Sequence, residues 1–395
     1  MNILILYNNP NRELTYLEEI RISLLKNHIV ENVYLENGGD TRKVIVSVFR
    51  FKPAVILSYP LTGKLLHHKF HVLKSIFKFK FICLRTEGAI NKGSKENILA
   101  HVGIAEYSNK LVDLELFWGQ IQKKLLGTEL LRQNKITSLE RCLVVGYPRI
   151  RKVEINSKDK NSIGIFTGFQ MADYDAERFL KARDLDKNTM NEFLEQTKKV
   201  LAFREEFIKR LDAFLILNKN MRFIIKPHPA ENEMTYHLLL KHENLRILPK
   251  SMSLNSVFEN LKSFVHFGST TLLDAYIYKI PSLLFFDKAL NVGHSYGWKS
   301  TIQSSLENLD INLKLLDNTK FEISNEITST LFEEINFEFD KPYTPVQNIV
   351  DVILRDNNPV QKISFFKKDT FFLIFQLIKL FFLKFNTYPF DQKND

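Results

Sequence analysis

Three short constellations in this chain carry residue types suited to group transfer, and each follows an apolar run that reads as a β-strand. Lys226-Pro227-His228-Pro229 ends the run RFIIK. The prolines restrict the backbone on both sides of His228 and hold its imidazole at the strand terminus. An imidazole that titrates near neutrality can donate to, or protonate, an oxyanion leaving group, and Lys226 adds positive charge beside it. The plainer reading is a turn histidine bonded to backbone. Gly268-Ser269-Thr270-Thr271 lies between the strand SFVHF and the helical TLLDAYIYK. Backbone N–H groups, hydroxyls and the helix dipole favour an anion there, although Thr271 and Asp274 equally resemble a capping box. Arg85-Thr86-Glu87-Gly88 follows FKFICL. Glu87 is placed either to take a proton from an attacking hydroxyl or to pair with Arg85 at the surface. Together the three suggest a transfer between lobes, with a base activating an acceptor on one and a phosphate-bearing leaving group on the other.

Other clusters point elsewhere. His67-His68-Lys69-Phe70-His71 puts His67 and His71 on one helical face, but no neighbouring carboxylate or cysteine completes a metal site. The stretch from Lys64 to Lys80 reads instead as a basic amphipathic surface. Asp173 and Asp175 read as solvated loop residues, so no metal-binding carboxylate pair is expected at a strand end. His294, Tyr296 and Trp298 are candidates for the border of a cleft. No GxGxxG follows the first strand and no Gly-Lys-Ser/Thr occurs, which disfavours a dinucleotide site and a Walker-type triphosphatase.

The elements that position these residues alternate. Strands are predicted at Asn2–Tyr7, Val44–Val48, Ala54–Ser58, Phe79–Leu84 and Leu143–Val145, with helices at Leu14–Leu25 and through Phe117–Leu131. A polar stretch at 151–161, RKVEINSKDKN, reads as a hinge. A second series follows, with strands Ser162–Phe166, Arg222–Lys226, Phe264–Phe267 and Ser282–Phe286. Its helices are Glu192–Leu217, Asn255–Lys262 and Thr271–Tyr278. The expectation is an α/β chain of two Rossmann-like domains facing a cleft: residues 1–150 on the acceptor side and 162–340 on the nucleotide side. Residues 341–360 would form a helix returning toward the first lobe, and 361–395 a basic amphipathic tail.

Phe365–Phe385 reads FFKKDTFFLIFQLIKLFFLKF, too short between its polar breaks to span a bilayer and suited to the interface of one. The alternative is a terminal helix packed on the protein. With 395 residues and a net charge of +10, the chain can bury two cores and be drawn to anionic partners. Its 45% hydrophobic content excludes disorder as the main state. Two cysteines, Cys83 and Cys142, cannot build a disulfide framework and fit a reducing cytoplasm. The opening MNILILYNN lacks the features of a signal peptide. The expected location is therefore cytoplasmic and peripheral to the membrane's inner face. No nucleic-acid module is recognisable, and nucleic acid is not an expected partner.

The Lys226–Pro229 and Gly268–Thr271 motifs, followed by Lys279-Ile280-Pro281 before a strand, resemble bacterial surface-carbohydrate biosynthesis proteins. The chain is similar to GT-B glycosyltransferases that use CMP-activated acidic sugars, namely sialyltransferases, polysialyltransferases and Kdo transferases. Their shared motifs match Glu87-Gly88, His228-Pro229 and Ser269-Thr270, and the run VVGYPR at 144–149 resembles the family's Gly-x-Pro-Arg. The likeness covers roughly residues 80–290 and departs at Thr86, where the family carries a first carboxylate.

The resemblance implies a GT-B fold and transfer of an ulosonic sugar from a CMP donor to a surface glycan or lipid-linked acceptor. Glu87 would be the general base and His228 would engage the CMP phosphate. Lys226, Pro229, Gly268, Ser269, Thr270 and Thr271 would bind the nucleotide, with no cofactor and no metal. The rival readings are a CDP-glycerol- or CDP-ribitol-type phosphotransferase, a UDP-sugar epimerase, and a non-catalytic membrane-docked scaffold. The first of these usually carries Asp-Tyr-Ser-Ser, where this chain has His266-Phe267-Gly268-Ser269-Thr270-Thr271.

Overall fold

Short, almost wholly apolar runs such as ILIL, VIL, FICL and SIGIF cannot leave either face to water, so they form parallel strands covered by helices on both sides. The computed structural model describes residues 1–8, 10–35, 42–61, 64–85, 98, 111–149, 160–173, 187–249, 252, 254–287, 298 and 300–355. The described chain divides into two units.

The first unit contains β1 (Asn2–Tyr7), α1 (Pro10–Leu25), β2 (Ile29–Tyr34), α2 (Arg42–Phe51), β3 (Val55–Ser58) and α3 (Lys64–Phe77). There follow β4 (Lys80–Leu84), β5 (Leu114–Phe117), the helical run α4 (residues 120–132, with a π-helical turn at Lys123–Gly127) and β6 (Cys142–Val144). Its six strands are all parallel, in the order β2-β1-β3-β4-β5-β6.

The second unit contains β7 (Ser162–Phe166), α5 (Lys187–Leu217), β8 (Arg222–Lys226), β9 (Leu245–Ile247), α6 (Leu254–Phe258) and β10 (Leu261–His266). There follow α7 (Thr271–Ile277), β11 (Ser282–Phe285), β12 (Ile302–Ser304), α8 (Leu309–Asn318) and α9 (Asn325–Ile335). Its strand order is β12-β11-β10-β7-β8-β9, again wholly parallel. A last helix, α10 (Pro345–Arg355), belongs to the first unit, where Ile349, Val350 and Ile353 share a core with Tyr16, Leu17, Ile20 and Leu24 of α1.

Several expectations are corrected. The run expected as a strand at Val44–Val48 lies inside helix α2. Val44, Ile45 and Val48 are buried while Val46 and Phe49 face solvent, so helical spacing of burial outweighs the strand preference of β-branched residues. Four strands, β2, β5, β9 and β12, were not anticipated. β2 carries Glu31 and Asn32 at its centre, and β5 ends at Phe117, where the sequence predicts the start of a helix. The helix expected over Asn255–Lys262 stops at Phe258, and β10 already begins at Leu261. The predicted basic surface at Lys64–Lys80 is corrected in part: Lys74 and Lys80 are buried, with Lys74 Nζ 2.6 Å from Asp113, while Lys78 at the end of the stretch is exposed. Among the described residues no helix is long and apolar enough to cross a membrane. The basic tail Phe365–Phe385 and the polar hinge at 151–159 lie outside the described residues.

Candidate functional site

In the second sheet β7 stands in the middle, with β8 and β9 on one side and β10, β11 and β12 on the other. The chain therefore reverses its direction of travel across the sheet beside β7, and in such sheets ligands bind beyond the carboxyl ends of the strands at that point. Register aligns Lys226, Phe166 and His266 in one row at that end. The Lys226–Pro229 and Gly268–Thr271 segments thus leave the sheet on either side of β7, about 9–10 Å apart at two strand spacings. The third constellation is divided: Arg85 is described, whereas Thr86, Glu87 and Gly88 lie outside the described residues.

Lys226 is buried, and its carbonyl accepts from Thr167 N at 3.3 Å. Burial of the ammonium lowers its pKa to about 8; Arg149 pushes the same way and Glu233 opposes. Pro227 is buried, His228 half-buried and Pro229 exposed, so the imidazole stands at the turn's inner rim. Ala230 N donates to His228 Nδ1 at 3.1 Å. That bond makes Nδ1 the acceptor and fixes the proton of the neutral ring on Nε2, the tautomer that can donate to an oxyanion.

Glu231, which belongs to none of the sequence motifs, holds this corner together. Thr167 Oγ1 donates to its carboxylate at 2.8 Å, Phe169 N at 2.7 Å, and Tyr236 through its hydroxyl. Thr167 Oγ1 in turn accepts from His228 N at 3.3 Å, which couples the loop after β7 to the loop after β8. Burial raises the Glu231 pKa, and these donors act against it. Asp173 is likewise not the solvated residue expected. Arg204 Nη1 lies 2.7 Å from it, and Asn232 N donates to it at 2.7 Å. Asp175 lies outside the described residues.

Beyond β10, Gly268 takes φ 81°, a left-handed conformation that glycine adopts without strain. The next turn is capped by Ser269, whose Oγ accepts from Thr271 N at 3.2 Å while its carbonyl accepts from Leu272 N at 3.2 Å. The capping pair expected between Thr271 and Asp274 is not formed. Asp274 is fully buried and receives Arg149 Nη2 at 3.1 Å. Burial raises the Asp274 pKa, with Arg149 opposing. Arg149 was visible only as the last residue of the Gly-x-Pro-Arg run; the fold sets it on the helix of the hydroxyl motif and within electrostatic reach of Lys226. His266 is buried, bonds Ser300 Oγ through Nε2 at 2.9 Å, and is kept neutral by burial, which lowers its pKa to about 3.

Lys226, Arg149, the Nε2–H of His228 and the hydroxyls of the Gly268–Thr271 turn are the groups at this edge whose chemistry suits a phosphate. Among the described residues no group of three or more His, Cys, Asp or Glu side chains is placed to hold a metal ion. In the first unit His67 is buried, with Nε2 against Leu61 O at 2.7 Å, and the side chain of His68 lies outside the described residues. Trp298 is a buried core residue that donates to Glu334 at 3.1 Å, and His294 and Tyr296 lie outside the described residues.

No protein-family model and no curated protein sequence matches the chain. Solved structures do. The UDP-GlcNAc 2-epimerase of Methanocaldococcus jannaschii, in complex with UDP-GlcNAc and UDP, is similar at a TM-score of 0.54 and 12% identity, over 90% of this chain and 100% of that one. MnaA of S. aureus with UDP gives 0.53 and 12% identity, over 92% and 99%. The wall teichoic acid polymerase TagF, with CDPG, gives 0.52 and 13% identity, over 90% and 88%. These identities establish a likeness of architecture, and with two parallel six-stranded units the chain has the two-domain, Rossmann-like GT-B fold.

Proposed function

We propose that the protein is a glycosyltransferase of surface-glycan assembly that moves an acidic ulosonic sugar from a CMP donor to a glycan or lipid-linked acceptor. The observation that carries this reading is the bond from Ala230 N to His228 Nδ1, which sets the proton of the neutral ring on Nε2 two residues beyond buried Lys226. A CMP-sugar leaves as a single phosphate monoester. One imidazole N–H, two cations and the hydroxyls of Ser269 and Thr270 match that charge without calling for a divalent ion. Pro229 and Gly268 shape the two turns, and Thr271 begins the helix behind them. In the transfer the acceptor oxygen bonds to the anomeric carbon as that carbon's bond to the phosphate oxygen breaks. Glu87 takes the acceptor's proton, and the departing CMP keeps the electron pair on its phosphate. The tail Phe365–Phe385 would bring the enzyme to the cytoplasmic face of the membrane, where a lipid-linked acceptor is presented.

A second reading is transfer of a polyol phosphate from a CDP donor, favoured by the likeness to TagF. Calorimetric titration of the purified protein with CMP, CDP and UDP, first without metal and then with magnesium, separates the two. Metal-independent preference for CMP, lost in His228→Ala, supports the ulosonic reading. Preference for CDP moves the assignment to polyol-phosphate transfer, and absence of nucleotide binding refutes both.

A further inference from the structure

The N-terminal edge of the first sheet carries an apolar and basic surface that donor binding does not use. Helices between parallel strands run back against them, so the last turns of α1, α2 and α3 arrive where the strands begin. Hydrogen bonds trace this line: Ile29 N to Met1 O at 3.1 Å, Ala54 N to Asn2 O at 2.8 Å, and Lys80 N to Ala54 O at 2.8 Å. Asn2 Nδ2 also donates to Phe51 O at 2.6 Å, and the Phe49 and Phe77 rings meet edge to face at 4.9 Å. Around it Ile22, Leu25, Ile29, Phe49 and Ile76 stand 40–63% exposed. Lys26, Lys52 and Lys78 are exposed between them. Lys52 and Lys78 take positive φ at the ends of α2 and α3, which puts both lysine stems at the edge itself. Glu18 and Glu31 nearby are each paired with an arginine.

This composition discriminates between partners. The buried centre of a protein–protein interface is depleted of lysine. A headgroup interface suits large apolar side chains interleaved with lysines, whose stems reach along apolar surface while their ammonium groups meet lipid phosphate. The path of the chain gives a second argument. Asn348 Nδ2 donates to Val145 O at 3.1 Å, so α10 begins at the opposite, C-terminal edge. Its 11 residues then lie along α1, and a helix of that length, about 16 Å, carries the chain toward the exposed edge before the Phe- and Lys-rich residues that follow.

We propose that this edge of the first unit docks on an anionic phospholipid bilayer. Phe49 and its aliphatic neighbours enter the headgroup region, and Lys26, Lys52 and Lys78 meet lipid phosphates. The test is co-sedimentation of the full chain with vesicles of pure phosphatidylcholine and of equal parts phosphatidylcholine and phosphatidylglycerol. Wild type should favour the anionic vesicles, and Lys26→Glu/Lys52→Glu/Lys78→Glu, with the tail sequence intact, should lower that affinity more than about tenfold. Equal binding by wild type and triple variant, or no preference for anionic lipid, overturns the proposal. A second variant, Phe49→Trp, places an exposed indole where the native Trp118 and Trp298 are buried. Its fluorescence should be quenched by brominated lipid in the anionic vesicles, and an unquenched signal overturns the proposal independently. CMP binding by the triple variant should equal that of wild type, so this proposal and the nucleotide reading fail separately.

Discussion

In the first unit, buried cations at the sheet are closed into pairs: Lys74 Nζ lies 2.6 Å from Asp113 and Arg85 Nε 2.9 Å from Glu115. Trp118 Nε1 donates to Arg85 O at 2.6 Å and locks the end of β4 further. In the second unit Lys226 is equally buried, yet its surroundings are different. Glu231 serves Thr167, Phe169 and Tyr236, while Glu233 and Arg149 act on Lys226 with opposite signs. Both lysines have their pKa lowered by burial, a carboxylate opposes this in each case (Asp113 in contact with Lys74, Glu233 acting on Lys226), and an arginine adds to it (Arg141 and Arg149). The same parallel architecture thus uses charge in two ways. The Lys74–Asp113 contact fastens a helix to the sheet, whereas Lys226, with its pKa lowered to about 8, stands at a strand end where a phosphate is proposed to bind.

The largest expected effect tests the acceptor side. Glu87→Gln should lower turnover by about 10²–10⁴-fold with CMP affinity nearly unchanged, measured by a transfer assay beside calorimetry. Wild-type turnover in that variant would refute the base assignment. Next, Lys74→Met should destabilise the first unit by about 3–5 kcal/mol, because it leaves Asp113 without its closest cation. The double variant Lys74→Met/Asp113→Leu should recover much of that loss in urea titrations. If the single variant is neutral, the pair is not the fastening that separates the two units. His228→Ala should weaken CMP binding by about 1.5–3 kcal/mol, the worth of a charge-assisted hydrogen bond, and lower turnover as well.

The smallest effect is the pH dependence of Lys226. It is charged below about pH 8 and loses its proton above, so CMP affinity should hold below that pH and fall as pH rises through it. Lys226→Arg should extend the plateau upward. Stability has the opposite sign. The folded pKa lies below the ordinary lysine value, so the unfolded chain binds more protons between the two, and this group's contribution to stability rises with pH across that window.

Much of this was legible in the sequence. RFIIK, SFVHF and SIGIF are apolar enough to read as buried strands, and proline or glycine after the first two marks where a site can lie. VIVSV misled, because five residues rich in β-branched side chains satisfy a strand template as readily as the helix burying Val44, Ile45 and Val48. β2 was silent because an edge strand can carry the half-buried polar residues Glu31 and Asn32, so its apolar signal is weak. Spacing predicted a capping role for Asp274, and only its full burial opposite Arg149, 125 positions away, shows otherwise.

The sequence by itself determined most of the buried central strands and which reactive side chains follow them, since local backbone preference and the period of burial act over a few residues. The tertiary structure alone decided that β8 and β10 flank β7, so that Lys226, His228 and the Ser269–Thr270 hydroxyls share one edge. It also decided that Glu231 reaches Thr167 across 64 positions. Strand order and buried polar pairing follow from satisfying every buried donor and acceptor at once, a condition that spacing along the chain does not record.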